Sequence, residues 1–146
     1  MHHISELLGK KITGLNKIVI AESKEQTSLT DSILLGSNSV SYQIYTNQTG
    51  IYVQTIISTN DIVIDGEYEI TGVLYNAILT VEDFKVDRIE LFWDKDKMYI
   101  LGVVLKSREK QLFFIRLADE ISCETQDSFK MKLGQSADFQ TESIIE

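Results

Sequence analysis

The sequence predicts a mainly β fold, in which antiparallel meanders pack as a sandwich or a flattened barrel and one short helix stands at the N-terminus. Segments of about 5 to 10 residues are rich in Ile, Val, Tyr, Phe and Thr, as strands of a half-buried sheet are. Short polar turns separate them. With 146 residues, 43% of them hydrophobic, the chain suits one domain, 1–146, better than two.

The N-terminal third predicts the short helix and the first hairpin. In the stretch "HISELLGK", Ile4, Leu7 and Leu8 recur at helical spacing and Gly9 follows as a stop signal. Strands are predicted over Ser39–Thr46 and Ile51–Ile57, joined by the turn "NQTG". Gly50 ends this turn, where a positive φ is often required.

The strongest meander lies in the second half of the chain. Its strands are predicted over Val86–Trp93, Met98–Lys106 and Gln111–Leu117. Both alternating sets of side chains in Met98–Leu105 are apolar, which predicts a central strand covered on both faces. The other sheet or the N-terminal helix is expected to provide that cover. The final stretch "LGQSADFQTESIIE" predicts a loose tail or one edge strand.

The tripeptide Ile-Thr-Gly occurs twice, at residues 12–14 and 70–72, which is 58 positions apart (70 minus 12). Each copy precedes an acid that opens an apolar strand, a polar turn and two further strands. The order predicts an internal repeat of 11–68 and 69–129, although few residues are identical. The alternative is that any series of β-hairpins resembles itself.

The acidic residues are concentrated in the middle of the chain. The net charge is −8, and residues 61–96 contain ten Asp or Glu against three Lys or Arg, which gives −7. Such a segment repels nucleic acid and attracts basic partners over roughly 8–10 Å at physiological salt. The alternative interpretation is an ordinary solubilising surface.

Motifs for catalysis, metal or cofactor are missing from the sequence. The two histidines, His2 and His3, stand at the terminus, so Cys123 has no evident activating base, and it has no second cysteine to pair with. The stretch "DKDKMYILGVVL" lacks the glycine and the closing glutamate of a calcium loop. Carboxylate pairs such as Asp61 with Asp119 exist, but nothing positions them against a sugar. We therefore expect no catalytic residues, no bound metal and no cofactor.

A small-ligand-binding barrel is the alternative function. Six tyrosines could line its cavity, although cross-strand packing explains most of them equally well. The chain shows no signal peptide and no apolar segment of membrane-spanning length, so the expected location is the cytoplasm, without membrane or nucleic-acid partners. The oligomeric state is left open.

Two stretches, "ISELLGKKITGLNKIVI" and "VDRIELFWDKDKMYILGVVLKSREKQLFFIRLADEIS", resemble small acidic immunity proteins of bacterial polymorphic-toxin and contact-dependent inhibition systems. The resemblance is one of pattern and carries no diagnostic motif. It implies a cytoplasmic protein that binds a cognate toxin or effector domain and blocks its active site. If that domain is a basic nuclease, carboxylates of this chain would occupy the place of nucleic-acid phosphates.

The partner-binding residues predicted on this basis are acids of the middle segment and one tryptophan. A desolvated aromatic residue, Trp93 or Tyr75, would anchor the contact, and the acids would steer the approach of the partner. The predicted set is Asp61, Asp65, Glu67, Glu69, Asp87, Glu90, Trp93, Asp94 and Asp96.

Overall fold

A computed structural model describes residues 3–135 and 138–145, and it confirms the mainly β fold, with 57% of residues in strands and 11% in helices. Two antiparallel sheets contain the strands. The first sheet consists of β1 (Lys11–Ala21), β2 (Gln26–Ser28), β3 (Ser32–Ser37), β4 (Ser41–Asn47), β5 (Gly50–Ile56) and β6 (Gly72–Lys85). The second consists of β7 (Arg88–Asp94), β8 (Ile100–Lys106), β9 (Gln111–Leu117), β10 (Glu120–Glu124) and β11 (Phe139–Ile145).

The first sheet is organised around the long strand β1. One edge of β1 pairs with β3 and β2, its other edge pairs with β6, and β4 and β5 continue the meander beyond β3. Gly50 has a φ of +134°, as its position in the β4–β5 turn predicts. Because β5 and β6 each pair on one side only among the described strands, they form the two edges of this sheet.

The second sheet has the order β10-β9-β8-β7-β11. The central position predicted for the Met98–Leu105 segment is confirmed for β8, although Met98 itself precedes the strand and is 62% exposed. On one face of β8, Val103 and Leu105 enter the core between the sheets, whereas Val104 packs on the opposite face. The final segment forms an edge strand, which was one of the two predicted outcomes.

The two sheets do not close into a barrel. They pack face to face around apolar side chains from both, and Leu15, Leu35, Ile89 and Phe114 are among those fully buried there. The sandwich is therefore the correct one of the two predicted arrangements. The closed barrel that the small-ligand alternative assumed is not formed.

The outer face of the second sheet is covered by a helix that the sequence interpretation missed. Helix α1 (Gln126–Gly134) begins after Thr125, whose hydroxyl accepts a hydrogen bond from the Ser128 amide. Phe129 and Leu133 of α1 are buried against Val104 and Ile115 of the sheet. A Cβ at Gly102 would lie 2.8 Å from the Phe129 ring. The glycine of β8 therefore creates the space that the ring occupies.

The predicted N-terminal helix is a single 3-10 turn, Ile4–Leu7, with both of these residues buried at the margin of the inter-sheet core. Helix α1, rather than this turn, covers the second face of β8. The two Ile-Thr-Gly segments lie at the start of β1 and just before β6, and these two strands pair with each other. The internal repeat 11–68 and 69–129 remains a prediction.

Candidate functional site

Several turns meet at one end of the sandwich. In an antiparallel meander alternate turns lie at the same end, so the β7–β8 turn and the β9–β10 turn are neighbours. The β4–β5 turn joins them, because Arg116 of β9 donates from Nε to Thr46 Oγ1 at 2.8 Å and from Nη2 to the Asn47 carbonyl at 2.9 Å. These hydrogen bonds link the two sheets and fix the turns relative to one another.

An open groove of about 390 Å³ lies on one side of the β4–β5 turn. It is formed where the inner surface of β7, β8 and β11 extends past the edge strand β5. His3 also contributes to its wall, whereas His2 lies outside the described residues. The lining includes six largely apolar side chains, those of Tyr52, Leu91, Trp93, Met98, Ile100 and Ile144.

Trp93 is held in a fixed position in this groove. Its indole Nε1 donates a hydrogen bond to Glu142 Oε1 at 3.3 Å. Lys97 lies with its ammonium 5.8 Å from the centre of the ring and 3.5 Å from the other oxygen of Glu142. The half-buried ring is therefore pre-oriented by a carboxylate and a cation, which reduces the conformational entropy it would lose on binding.

On the other side of the turn, Asp31, Asp65 and Asp119 surround a depression of about 350 Å³. Thr49 lines both this depression and the Trp93 groove, so the two are adjacent. Within residues 3–135 and 138–145, no Lys or Arg comes within 4.0 Å of these three carboxylates to form an ion pair. We call these three residues the aspartate cluster.

Asp31 of the aspartate cluster lies in surroundings that disfavour its ionised form. Burial raises the pKa of Asp31 above its ordinary value, and the neighbouring charges of Asp65 and Asp119 raise it further, while a hydrogen bond from the Ser32 hydroxyl opposes the rise. The ionised form that predominates at neutral pH is thus disfavoured by the fold. A cationic group placed in the depression would relieve that cost.

A connecting segment, residues 57–71, carries Asp65 to this position. Gln43 of β4, fully buried, anchors the segment: its amide Nε2 donates to the Val63 carbonyl at 2.8 Å, and its Oε1 accepts from the Val63 amide at 2.7 Å. Ile62 and Ile64 pack on the outer face of the first sheet. The segment is therefore fixed to the sheet along its middle.

The predicted partner-binding residues are distributed over both sheets and do not form one patch. Asp65 joins the aspartate cluster, and Trp93 and Asp96 belong to the groove and to the turn beside it. Glu67 and Glu69 are exposed on the connecting segment. Tyr75, the other aromatic anchor considered, lies on β6 of the first sheet, whereas Trp93 belongs to the second.

Two of the predicted residues, Asp61 and Asp94, fix turns of the fold through side-chain hydrogen bonds. Hydrogen bonds from the amides of Ser58 and Ile57 lower the pKa of Asp61 and fix the short 3-10 turn Thr59–Asp61. Asp94 is not the free surface charge expected from the sequence. Its Oδ1 accepts hydrogen bonds from the backbone amides of Met98 and Tyr99, at 2.6 and 2.8 Å.

Glu90 and Asp87 lie elsewhere on the second sheet. Glu90 forms an ion pair of 2.8 Å with Lys106. Asp87 precedes β7, at the end of the sandwich opposite the β7–β8 turn, where Lys11, Lys85 and Arg108 surround it. The charge is thus polarised: the aspartate cluster stands at one end, and a mixed group containing several cations stands at the other.

Three acids near the site were missed by the sequence interpretation: Asp31, Asp119 and Glu142. They come from parts of the chain with little net charge, so the charge count over residues 61–96 could not identify them. Alternate turns of an antiparallel meander lie at the same end of the sheet. This rule, applied to the predicted strands, could have placed Asp119 at the same end as the β7–β8 turn. No comparable signal exists for Asp31 or Glu142.

Other chemistry is limited in the described part of the chain. It contains no group of three His, Cys, Asp or Glu side chains arranged to hold a metal ion. Burial raises the pKa of the Cys123 thiol to about 11, with a smaller contribution from Glu124, so the thiol is protonated at neutral pH. None of the described helices has the length and apolar character needed to cross a membrane.

Comparison with known proteins found no matching family model, no matching curated protein and no matching solved structure. Any function must therefore be argued from the site itself.

Proposed function

We propose that this chain is an immunity protein that binds a basic toxin domain with the turn end of the sandwich and blocks its active site. The observation that carries the proposal is the adjacency, across Thr49, of an apolar groove with a fixed tryptophan and a cluster of aspartates that form no ion pair with a Lys or Arg of the described residues. The Trp93 groove offers a pocket for an apolar side chain of the partner, and the aspartate cluster offers a site for a positive charge. Protein interfaces commonly combine the two.

The aspartate cluster favours a cationic partner for an energetic reason. The ionised form of Asp31 is disfavoured in the free protein chiefly because the side chain is partly buried, and the charges of Asp65 and Asp119 add a smaller repulsion. A Lys or Arg of a partner stabilises that ionised form and forms charge-assisted hydrogen bonds, of which Arg with a carboxylate is the strongest kind. A bound cation therefore offsets the unfavourable free energy of the ionised Asp31 in the free protein, and this gain adds to the free energy of binding.

Blocking follows from the same charges if the toxin is a nuclease. The surface with which a nuclease holds nucleic acid is basic, because it must neutralise phosphates. A rigid acidic surface competes for those cations, and the apolar groove beside it can receive a side chain from the rim of the active site. One bound molecule of this chain would then exclude the substrate.

Reversing two exposed acids at this end should slow association with the partner. We expect Asp65→Lys with Asp96→Lys to lower the association rate about tenfold at low salt and to flatten its salt dependence. The matched control is Glu25→Lys with Glu109→Lys, which changes the net charge equally at exposed acids outside both cavities. Surface plasmon resonance over a salt series measures both pairs. Equal slowing by the two pairs would contradict a localised interface.

The partner for this experiment is obtained by capture on the immobilised protein and elution with a salt gradient. Its gene is then expressed in a host alone or together with this chain. Growth arrest by the partner, relieved by the wild-type chain, is the expected result. A partner that does not arrest growth, or arrest that persists in the presence of the chain, rejects the immunity function even if the two proteins bind.

Trp93 should be an anchor of the complex. We expect Trp93→Ala to weaken binding by about 2 kcal/mol or more, roughly 30-fold, as central aromatic residues of interfaces do. Trp93→Phe keeps an aromatic ring but loses the hydrogen bond to Glu142, so its effect should be smaller. Isothermal titration calorimetry measures both variants. If binding is unchanged in Trp93→Ala while its fold is intact by circular dichroism, the groove is not part of the interface.

A further inference from the structure

The outer edge of β6 has features unusual for an exposed strand. In the described chain β6 pairs with β1 alone, so its other edge presents unpaired backbone groups. The ten residues from Gly72 to Val81, "GVLYNAILTV", contain no charge and no proline. Natural edge strands are usually protected by lysine, proline, a β-bulge or a covering segment, and of these the stretch has a register irregularity against β1, between the partners of Leu15 and Asn16. Here the nearest cationic contact, from Lys110 Nζ to the Glu82 carbonyl, begins only beyond this stretch.

The side chains of this strand are apolar and half exposed. Leu74, Tyr75, Ile78 and Leu79 are 41–46% exposed. Leu74 and Leu79 stand opposite Val19 and Leu15 of β1, so a register irregularity places both leucines on the same face of the sheet. The strand thus offers hydrogen-bonding groups along its edge and an apolar flank beside them.

We infer that a second copy of this chain occupies the edge, with β6 pairing to β6 in antiparallel orientation around a twofold axis. Two identical strand edges related by a twofold axis meet in antiparallel orientation, and the interface is then self-complementary. All strand pairs in the described sheets are antiparallel as well. The two first sheets would join into one continuous sheet.

The distribution of charge along β6 favours this occupant over a charged partner. An uncharged edge gives an acidic or basic segment no electrostatic attraction, whereas a second uncharged edge brings no charge to desolvate, and its backbone groups are desolvated only as they form hydrogen bonds across the pair. The acids Glu82 and Asp83 stand at one end of β6. In an antiparallel pair, Glu82 and Asp83 of one copy and the same residues of the other copy lie at opposite ends of the contact. The contact is about 34 Å long, well beyond the Debye length. The net charge of −8 therefore does not oppose pairing at the strand itself.

The size of the contact predicts a weak dimer. One strand pair with four half-exposed apolar side chains from each copy buries less than the roughly 1,200 Å² in total at which stable specific interfaces begin. We therefore expect a concentration-dependent equilibrium with a dissociation constant of roughly 10–100 µM. Because β6 contributes to neither the Trp93 groove nor the aspartate cluster, the dimer does not depend on the proposed function.

Sedimentation velocity of the purified full chain over a range of concentrations tests the inference. The wild-type protein should pass from monomer to dimer, and Leu79→Lys should weaken the dimer at least about tenfold, because it places like charges on an edge that is otherwise uncharged. The matched control is Ile57→Lys, the same type of change at a residue that is 81% exposed and outside β6; it should leave the dimer unchanged.

Hydrogen exchange of the wild-type protein identifies the strand without any substitution. Amides within residues 72–81 should exchange more slowly at high concentration than at low concentration, while those of the β7–β8 turn should not change. A protein that stays monomeric up to about 1 mM, far above the expected constant, overturns the inference. So does a dimer that survives Leu79→Lys, one that Ile57→Lys weakens equally, or one that leaves exchange over residues 72–81 unchanged.

Discussion

Replacement of Phe129 by alanine is expected to lower the free energy of unfolding by about 3–5 kcal/mol, the range for truncation of a buried phenylalanine. Phe129 is 2% exposed and its ring lies 5.3 Å from that of Phe92 and 5.4 Å from that of Phe113. Its removal leaves a cavity against Gly102, which has no side chain to fill the space. Urea denaturation followed by circular dichroism measures the change.

A control on the same helix separates packing from helix propensity. Met131 is 65% exposed, so Met131→Ala should change the free energy of unfolding by less than about 0.5 kcal/mol. If the two variants lose similar stability, the contact between α1 and the second sheet contributes little. A loss confined to Phe129→Ala shows that packing of this ring in the notch at Gly102 contributes to holding the helix on the sheet.

The same contact explains why α1 could not be predicted while the strands could. Strands β4, β5, β7, β8 and β9 were located to within a few residues, because alternation and turn residues are local signals. In α1 the buried positions are Phe129 and Leu133, and the rest of the helix is polar or exposed. Three apolar residues in nine, of which Met131 is exposed, give a weak periodic signal. The helix forms because the sheet offers a surface with a glycine where the ring must enter.

The candidate site was predicted only in part for a related reason. A charge count finds acids that are neighbours in sequence, such as those of residues 61–96, but the fold divides this segment between a loop on the first sheet and β7 of the second. The aspartate cluster instead combines residues 31, 65 and 119, which lie far apart in sequence. Likewise, the acidity of Asp94 was visible in the sequence, but its two hydrogen bonds to the following turn were not.

The position of Asp65 depends on an interaction that sequence patterns do not reveal. Gln43 lies between Tyr42 and Ile44, which face the inter-sheet core, so alternation predicts an exposed polar residue on the opposite face of β4, yet Gln43 is 0% exposed. The side-chain amide of Gln43 forms hydrogen bonds with the Val63 backbone, in the way that a neighbouring strand would. Its Nε2 also donates a hydrogen bond to the Ser32 hydroxyl at 2.8 Å. Because buried polar groups must be satisfied, the glutamine, Ser32 and Val63 form one interdependent set.

Replacement of Gln43 by leucine should therefore cost about 2–4 kcal/mol, since it leaves the amide and carbonyl of Val63 without a partner and removes the hydrogen bond that the Ser32 hydroxyl accepts. The connecting segment should loosen, and hydrogen exchange should speed up over residues 57–71. Gln54→Leu is the matched control. Gln54 stands directly opposite Gln43, but its buried Oε1 accepts no hydrogen bond from the described residues, so the same substitution there should be neutral or stabilising.

The contrast between these two glutamines also tests how the site is built. If Gln43→Leu loosens residues 57–71, Asp65 leaves the aspartate cluster, and association with a basic partner should slow even though no charge has been altered. Gln54→Leu should leave association unchanged. Equal stability of the two variants would mean that the packing of Ile62 and Ile64 on the first sheet holds the segment without the hydrogen bonds of Gln43. Burial of apolar surface, rather than the buried amide, would then position Asp65.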